Sequence, residues 1–131
     1  MLLLDTHVLV WLALDPKRVS TTARRAIERA RKSGGLAVAS ITLLEVALLV
    51  SRKRLSIGTT VAQWLTELLI QTGVAVLDLT PTIAELSQLF GPDYPPDPAD
   101  RIIGATARAH ALPLVTADAR ILESTLLNCV W

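Results

Sequence analysis

The chain has 131 residues, 51% of them hydrophobic and 19% charged. That is enough for one domain with a sizeable core, and it excludes a disordered chain. A formal net charge of +1 neither requires nor excludes a polyanionic partner, because cations can be segregated on one face.

Leu2-Leu3-Leu4 is a short apolar run closed by Asp5 and predicts a buried strand. Thr6 to Leu14 predicts a helix stopped by Asp15-Pro16. Ser20-Thr21-Thr22 offers N-caps for a charged helix reaching Lys32, ended by Ser33-Gly34-Gly35. Leu36 to Ala39 predicts a second strand. The segment from Ile41 to Val50 is helical by length and runs into the basic cluster Arg52-Lys53-Arg54. Gly58-Thr59-Thr60 opens a further helix ending near Gly73, and Val74 to Leu77 predicts a third strand. Pro81 to Phe90 reads as a helix, Gly91 to Pro96 as a loop, and Pro98 to Ala111 as a helix. Leu112 to Val115 predicts a fourth strand, Ala119 to Ser124 a short helix, and Asn128 to Val130 a last strand. Short apolar strands alternating with helices predict an α/β fold. Its parallel sheet would have about four to five strands, covered by helices on both faces in a single domain spanning residues 1–131.

The lone cysteine, Cys129, permits no internal disulfide and reads as a buried structural thiol in a reducing compartment. The start MLLLDTH lacks a positive region, and no apolar run approaches the roughly 20 residues that span a bilayer. The expectation is a soluble, cytoplasmic protein with no membrane partner. No phosphate-binding glycine loop occurs. His7 and His110 lack ligand-like spacing; the first reads as a surface or site-edge residue, the second as a cation at a helix end.

Four acids occupy unusual places. Asp5 and Asp118 follow the ends of predicted parallel strands, where α/β sheets bind ligands. Asp100 falls in the first turn of a helix that Asp97 and Pro98 open. Each aspartate could be only a cap. Glu45 could not: its own helix offers Ile41, Thr42, Leu48 and Leu49 as neighbours and no cation. A carboxylate among Leu and Val side chains is expensive unless compensated. A distant arginine could pair with it. Clustered carboxylates without His or Cys suit Mg²⁺ or Mn²⁺ and not Zn²⁺, and a divalent ion opposite Glu45, directly or through water, is the compensation favoured here.

These residues resemble the PIN domain, and within it the VapC-type toxins of toxin–antitoxin pairs. The likeness lies in Met1-Leu2-Leu3-Leu4-Asp5-Thr6-His7-Val8-Leu9-Val10-Trp11, Ser40-Ile41-Thr42-Leu43-Leu44-Glu45-Val46, Asp97-Pro98-Ala99-Asp100-Arg101-Ile102-Ile103 and Leu114-Val115-Thr116-Ala117-Asp118. All four motifs stand in order across nearly the whole chain. The resemblance implies a PIN-like fold and a Mg²⁺- or Mn²⁺-dependent endoribonuclease restrained by a cognate antitoxin. Asp5, Asp100 and Asp118 would bind metal; Glu45 would bind metal or orient the attacking water. Thr6 and Thr116 match polar positions beside them. One departure is Pro95-Pro96, where a His or Arg pair is expected.

RNA requires cations for its phosphates. Candidates are Arg101 beside the acids and the cluster Arg52, Lys53 and Arg54, although basic residues at a helix end also complement its dipole. Trp11 and Trp64 sit on amphipathic helices and read as core or interface anchors for the antitoxin or a homodimer partner, rather than as base-stacking platforms. Two other readings remain: a metal-dependent phosphatase or phospho-receiver domain, against which stands the absence of lysine after Lys53, and a catalytically silent interaction module.

Overall fold

A computed structural model describes residues 1–131. Its elements run β1 (Leu2–Leu4), α1 (Thr6–Leu14), a 3-10 turn (Pro16–Arg18), α2 (Thr21–Ser33), β2 (Leu36–Ala39), α3 (Ile41–Ser51), α4 (Val61–Thr72), β3 (Ala75–Leu77), α5 (Pro81–Ser87), α6 (Pro98–Ala109), β4 (Leu114–Val115), α7 (Ala119–Leu122) and β5 (Cys129–Val130). The strands form one five-stranded sheet ordered β3-β2-β1-β4-β5, parallel throughout.

Strand residues alternate between the two faces of a sheet, and each face here is covered, which is why the strands are apolar on both sides. Leu4, Leu36, Val38 and Val115 join Val8 and Leu9 of α1, Ile27 of α2 and Leu68 of α4 in one core. Leu3, Ala37, Ala39 and Leu114 join Ile83 of α5, Ile103 of α6 and Ile121 of α7 in the other. The chain runs outward from β1 through β2 to β3, then returns to place β4 on the other side of β1. That reversal opens a crevice beyond the carboxyl ends of β1 and β4.

Several boundaries differ from expectation. Helix α5 stops at Ser87 rather than Phe90, because Phe90 turns inward to stack on Tyr94 with ring centroids 4.0 Å apart. Helix α6 ends at Ala109, and Ala111 makes the turn with φ 51°. Strand β4 begins at Leu114 rather than Leu112: Pro113 has no N–H to give the ladder, although its carbonyl accepts from Leu3. Strands β3 and β5 are each a residue shorter than expected at the start, and α7 two residues shorter at its end. Cys129 is half-buried rather than buried.

Candidate active site

Asp5 extends β1 by one hydrogen bond, its N–H to the Val115 carbonyl at 3.0 Å, and then starts α1. Its carboxylate accepts from the Thr6 N–H at 2.8 Å and from the Thr116 hydroxyl at 2.7 Å. Only 7% of Asp5 is exposed. Burial raises its pKa; the Thr116 and Thr6 hydrogen bonds act against that without cancelling it.

Glu45 projects from α3 between the buried Thr42 and Val46. The Thr6 hydroxyl donates to Glu45 Oε1. With that proton committed, the 3.0 Å contact between the Thr6 and Thr42 hydroxyls is donated by Thr42. A relay Thr42–Thr6–Glu45 therefore joins α3 to α1. Burial raises the Glu45 pKa most; the Thr6 bond opposes it, and Asp5 and Asp97 raise it further. His7 acts to lower it, and no arginine is among the side chains that shift it.

Asp97 caps α6 through the Ala99 N–H at 2.8 Å, with Pro98 following as the first helical residue. This sets Asp100 in the first turn. Tyr94 then donates its hydroxyl to the Asp100 carbonyl at 2.9 Å, fixing that turn from below. Burial, then Asp5, Asp97, Glu45 and Asp118, push the Asp100 carboxyl up to about 7. Asp118 caps α7, accepting from Arg120 N–H at 2.8 Å and Ile121 N–H at 3.3 Å, while its own N–H donates to Thr116.

Asp5, Glu45, Asp97, Asp100 and Asp118 face one cavity of about 350 Å³, with His7, Trp11 and Ala117. All four acids singled out in the sequence are thus brought together. No three of them are gathered tightly enough to form a closed ion cage by themselves; they surround the cavity instead. The donor set is nonetheless suited to a hard divalent cation, being carboxylate oxygen alone. At an effective dielectric of about 20, a pair of like charges roughly 4–8 Å apart costs about 2–4 kcal/mol. A neutral hydrogen bond returns about 1 kcal/mol. Threonine hydroxyls alone do not offset such a cluster; proton uptake, as the raised Asp100 pKa indicates, or a bound cation would.

The basic candidates divide. Arg52 and Arg54 line a second groove of about 280 Å³ with Leu44, Leu48, Glu45 and Asp97, so they adjoin the acids. Lys53 is exposed and takes a left-handed backbone (φ 57°) that ends α3. Arg101 is half-buried and does not line the acidic cavity. Trp11 and Trp64 are half-buried and pack against the first core. The most exposed large apolar side chains are Ile70, Leu89, Leu44 and Leu79. Thr42 and Tyr94 were not singled out in the sequence. Thr42 carries a usable signal, a polar residue one turn before Glu45 on the same helical face; Tyr94 carries none.

Comparison with known proteins places these observations. The sequence profile of the PIN domain matches residues 2–125. The chain is 40% identical to Ribonuclease VapC22 of Mycobacterium tuberculosis over 119 residues, 91% of this chain and 88% of that protein. Its fold is similar to that of a toxin–antitoxin complex from Klebsiella pneumoniae, with a TM-score of 0.65, 23% identity and coverage of 97% and 95% of the two chains. It is likewise similar to VapBC2 of Rickettsia felis bound to a promoter DNA fragment, with a TM-score of 0.68, 18% identity and the same coverage.

Proposed function

The chain belongs to the PIN domain family, and we propose that it is a divalent-metal-dependent endoribonuclease acting as the toxin of a toxin–antitoxin pair. The observation that carries this reading is the convergence of Asp5, Glu45, Asp100 and Asp118 on one cavity beyond β1 and β4. The 40% identity to a VapC ribonuclease supports the choice of RNA over other phosphoesters. The phosphatase and phospho-receiver readings lack a lysine that could meet the phosphate, since none follows Lys53.

Asp5, Asp100 and Asp118 would hold Mg²⁺ or Mn²⁺. Bound there, such an ion lowers the pKa of water and neutralises charge on the phosphate. The protein's own part is to orient and to manage protons. Thr116 and the Thr6 N–H hold Asp5 in one orientation. Thr6 occupies Glu45 Oε1, which leaves Oε2 to accept a hydrogen from the attacking water. That water's oxygen forms the new P–O bond as the bond to the leaving ribose oxygen breaks, and the leaving oxygen takes up a proton from solvent. Proton acceptance by a positioned base contributes about 10²–10⁴-fold to such rates.

The groove beside Glu45 and Asp97 suits a segment of the antitoxin. Leu44 and Leu48 offer apolar contact, the acids at one end favour a basic side chain, and Arg52 and Arg54 favour an acidic one. A basic side chain of the antitoxin placed among the acids would offset the same charge that metal offsets, so inhibitor and metal should compete. A single domain acting as a homodimer in the cytoplasm completes the proposal; Ile70, 76% exposed on α4, is apolar surface of the kind a second copy covers. No helix is long and apolar enough to cross a membrane.

The test is Asp5→Asn, which keeps the shape and deletes a charge. RNA cleavage is expected to disappear while circular dichroism and melting stay close to those of the native protein. Cleavage at the native rate in metal-defined buffer would remove Asp5 from the reaction.

A further inference from the structure

The acidic cavity has an aromatic rim, with a guanidinium stacked on it, that the chemistry above does not use. Trp11 lines the cavity alongside His7, with ring centroids 6.0 Å apart. Trp131 braces Trp11 from another side at 5.8 Å. The Arg18 guanidinium lies over the Trp11 ring, 4.4 Å from its centroid. Arginine side-chain hydrogen bonds within the protein are made by Arg24, Arg108 and Arg120; Arg18 is held by the ring alone and is solvent-exposed.

The position of Arg18 is built. It closes the 3-10 turn Pro16–Arg18. The Arg24 guanidinium clamps that turn from α2, donating to the Pro16 carbonyl at 3.0 Å and the Val19 carbonyl at 3.2 Å. Val19, 2% exposed, anchors it in the core. An exposed cation on a fixed turn, stacked on an indole that lines the reaction cavity, therefore keeps its donors free.

Electrostatics gives this placement a use. The cavity is acidic and repels a polyphosphate, so binding energy must come from its margins. Stacking of bases on aromatic rings and contact of arginine with the backbone are the two interactions that hold single strands without reading their sequence. We infer that Trp11 and Arg18 form a subsite for single-stranded RNA, holding the nucleotide next to the scissile phosphate: Trp11 seats Arg18 and the exposed His7 ring, His7 stacks on the base, and Arg18 takes the adjoining phosphate. This rests on the ribonuclease reading and adds a polarity to it, with the strand leaving the cavity over α1 toward the turn at Arg18.

The experiment measures binding of a short, labelled single-stranded RNA to Asp5→Asn protein, which retains bound RNA uncut, across a range of salt. Adding Arg18→Gln should lower affinity about fivefold and reduce the salt slope by about 0.7, the share of one phosphate on a single strand. Adding Trp11→Leu, which also releases Arg18 from its ring, should lower affinity about tenfold and reduce the slope as Arg18→Gln does. Arg108→Gln, which removes a guanidinium stacked on Phe90 outside the cavity, should change neither. Melting curves accompany each variant; should Trp11→Leu fail to fold, the exposed Arg18→Gln carries the test. Unchanged affinity and slope in Arg18→Gln, or an equal loss in Arg108→Gln, overturns the subsite. If the native protein still cleaves RNA in that case, the subsite falls alone. If the native protein cleaves no RNA and the Asp5→Asn protein binds none, the ribonuclease reading falls with it.

Discussion

Threonine hydroxyls do much of the positioning at this site. Thr116, fully buried, gives its proton to Asp5 at 2.7 Å. A hydrogen bond to a charged group is worth about 1.5–3 kcal/mol. Thr116→Val should therefore destabilise the metal-free protein by about 2 kcal/mol in urea unfolding at pH 8. The Thr116 bond lowers the Asp5 pKa; its loss raises that pKa further, so the deficit should shrink as pH falls and the carboxyl takes up a proton and no longer needs the donor. A deficit independent of pH would mean that packing, not the carboxylate, explains it. Thr6→Val should reduce RNA cleavage about tenfold or more, because Glu45 loses the donor that fixes it; single-turnover cleavage measures this. Of the four acids, Glu45 was the most legible in the sequence because it interrupts an apolar helix; the three aspartates also read as ordinary residues of helix starts, and their placement at strand ends and in order beside Glu45 marked them. The hydroxyl relay was less so, since Thr6 and Thr42 meet only across two helices.

The placement of Asp100 depends on how α6 meets the loop before it. Gly104 lets that helix approach the stacked Phe90 and Tyr94; a Cβ at Gly104 would stand 2.4 Å from the Tyr94 hydroxyl and 2.8 Å from Phe90. Gly104→Ala must push Tyr94 away and release the Asp100 carbonyl that Tyr94 holds. The expected cost is about 1–3 kcal/mol of stability, together with a loss of cleavage that persists well below the melting temperature. Tyr94→Phe removes only the hydroxyl and should cost about 1 kcal/mol; thermal melts of both variants check the order. The order of strands and helices follows from apolar runs, caps and prolines, so it could be read along the chain. The inward turn of Phe90 could not, because what ends α5 there is a ring packed against another element. For the same reason Trp11 read as an anchor of core or interface, and its place at the rim of the acidic cavity emerged only from the folded arrangement.

Across the whole molecule, the raised pKa values of Asp5, Glu45 and Asp100 make one linked statement. Asp100 moves from its ordinary 3.8 to about 7. Between those values the folded protein binds more protons than the unfolded chain, so stability contributed by these groups falls as pH rises from about 4 to about 7. The metal-free protein should therefore melt lower at pH 8 than at pH 5. A cation bound only to the folded state stabilises it by mass action and should restore most at pH 8, where the carboxylates are ionised. Asp100→Asn should flatten both responses, as differential scanning calorimetry can show. Cutting of RNA by the gathered acids with the aid of a divalent ion is tested most directly by the cleavage rate of a labelled RNA with metal-stripped native protein as Mg²⁺ is added back. The expected result is no cleavage without metal and a rate that rises and saturates with Mg²⁺; cleavage at an undiminished rate in the presence of excess chelator would contradict it.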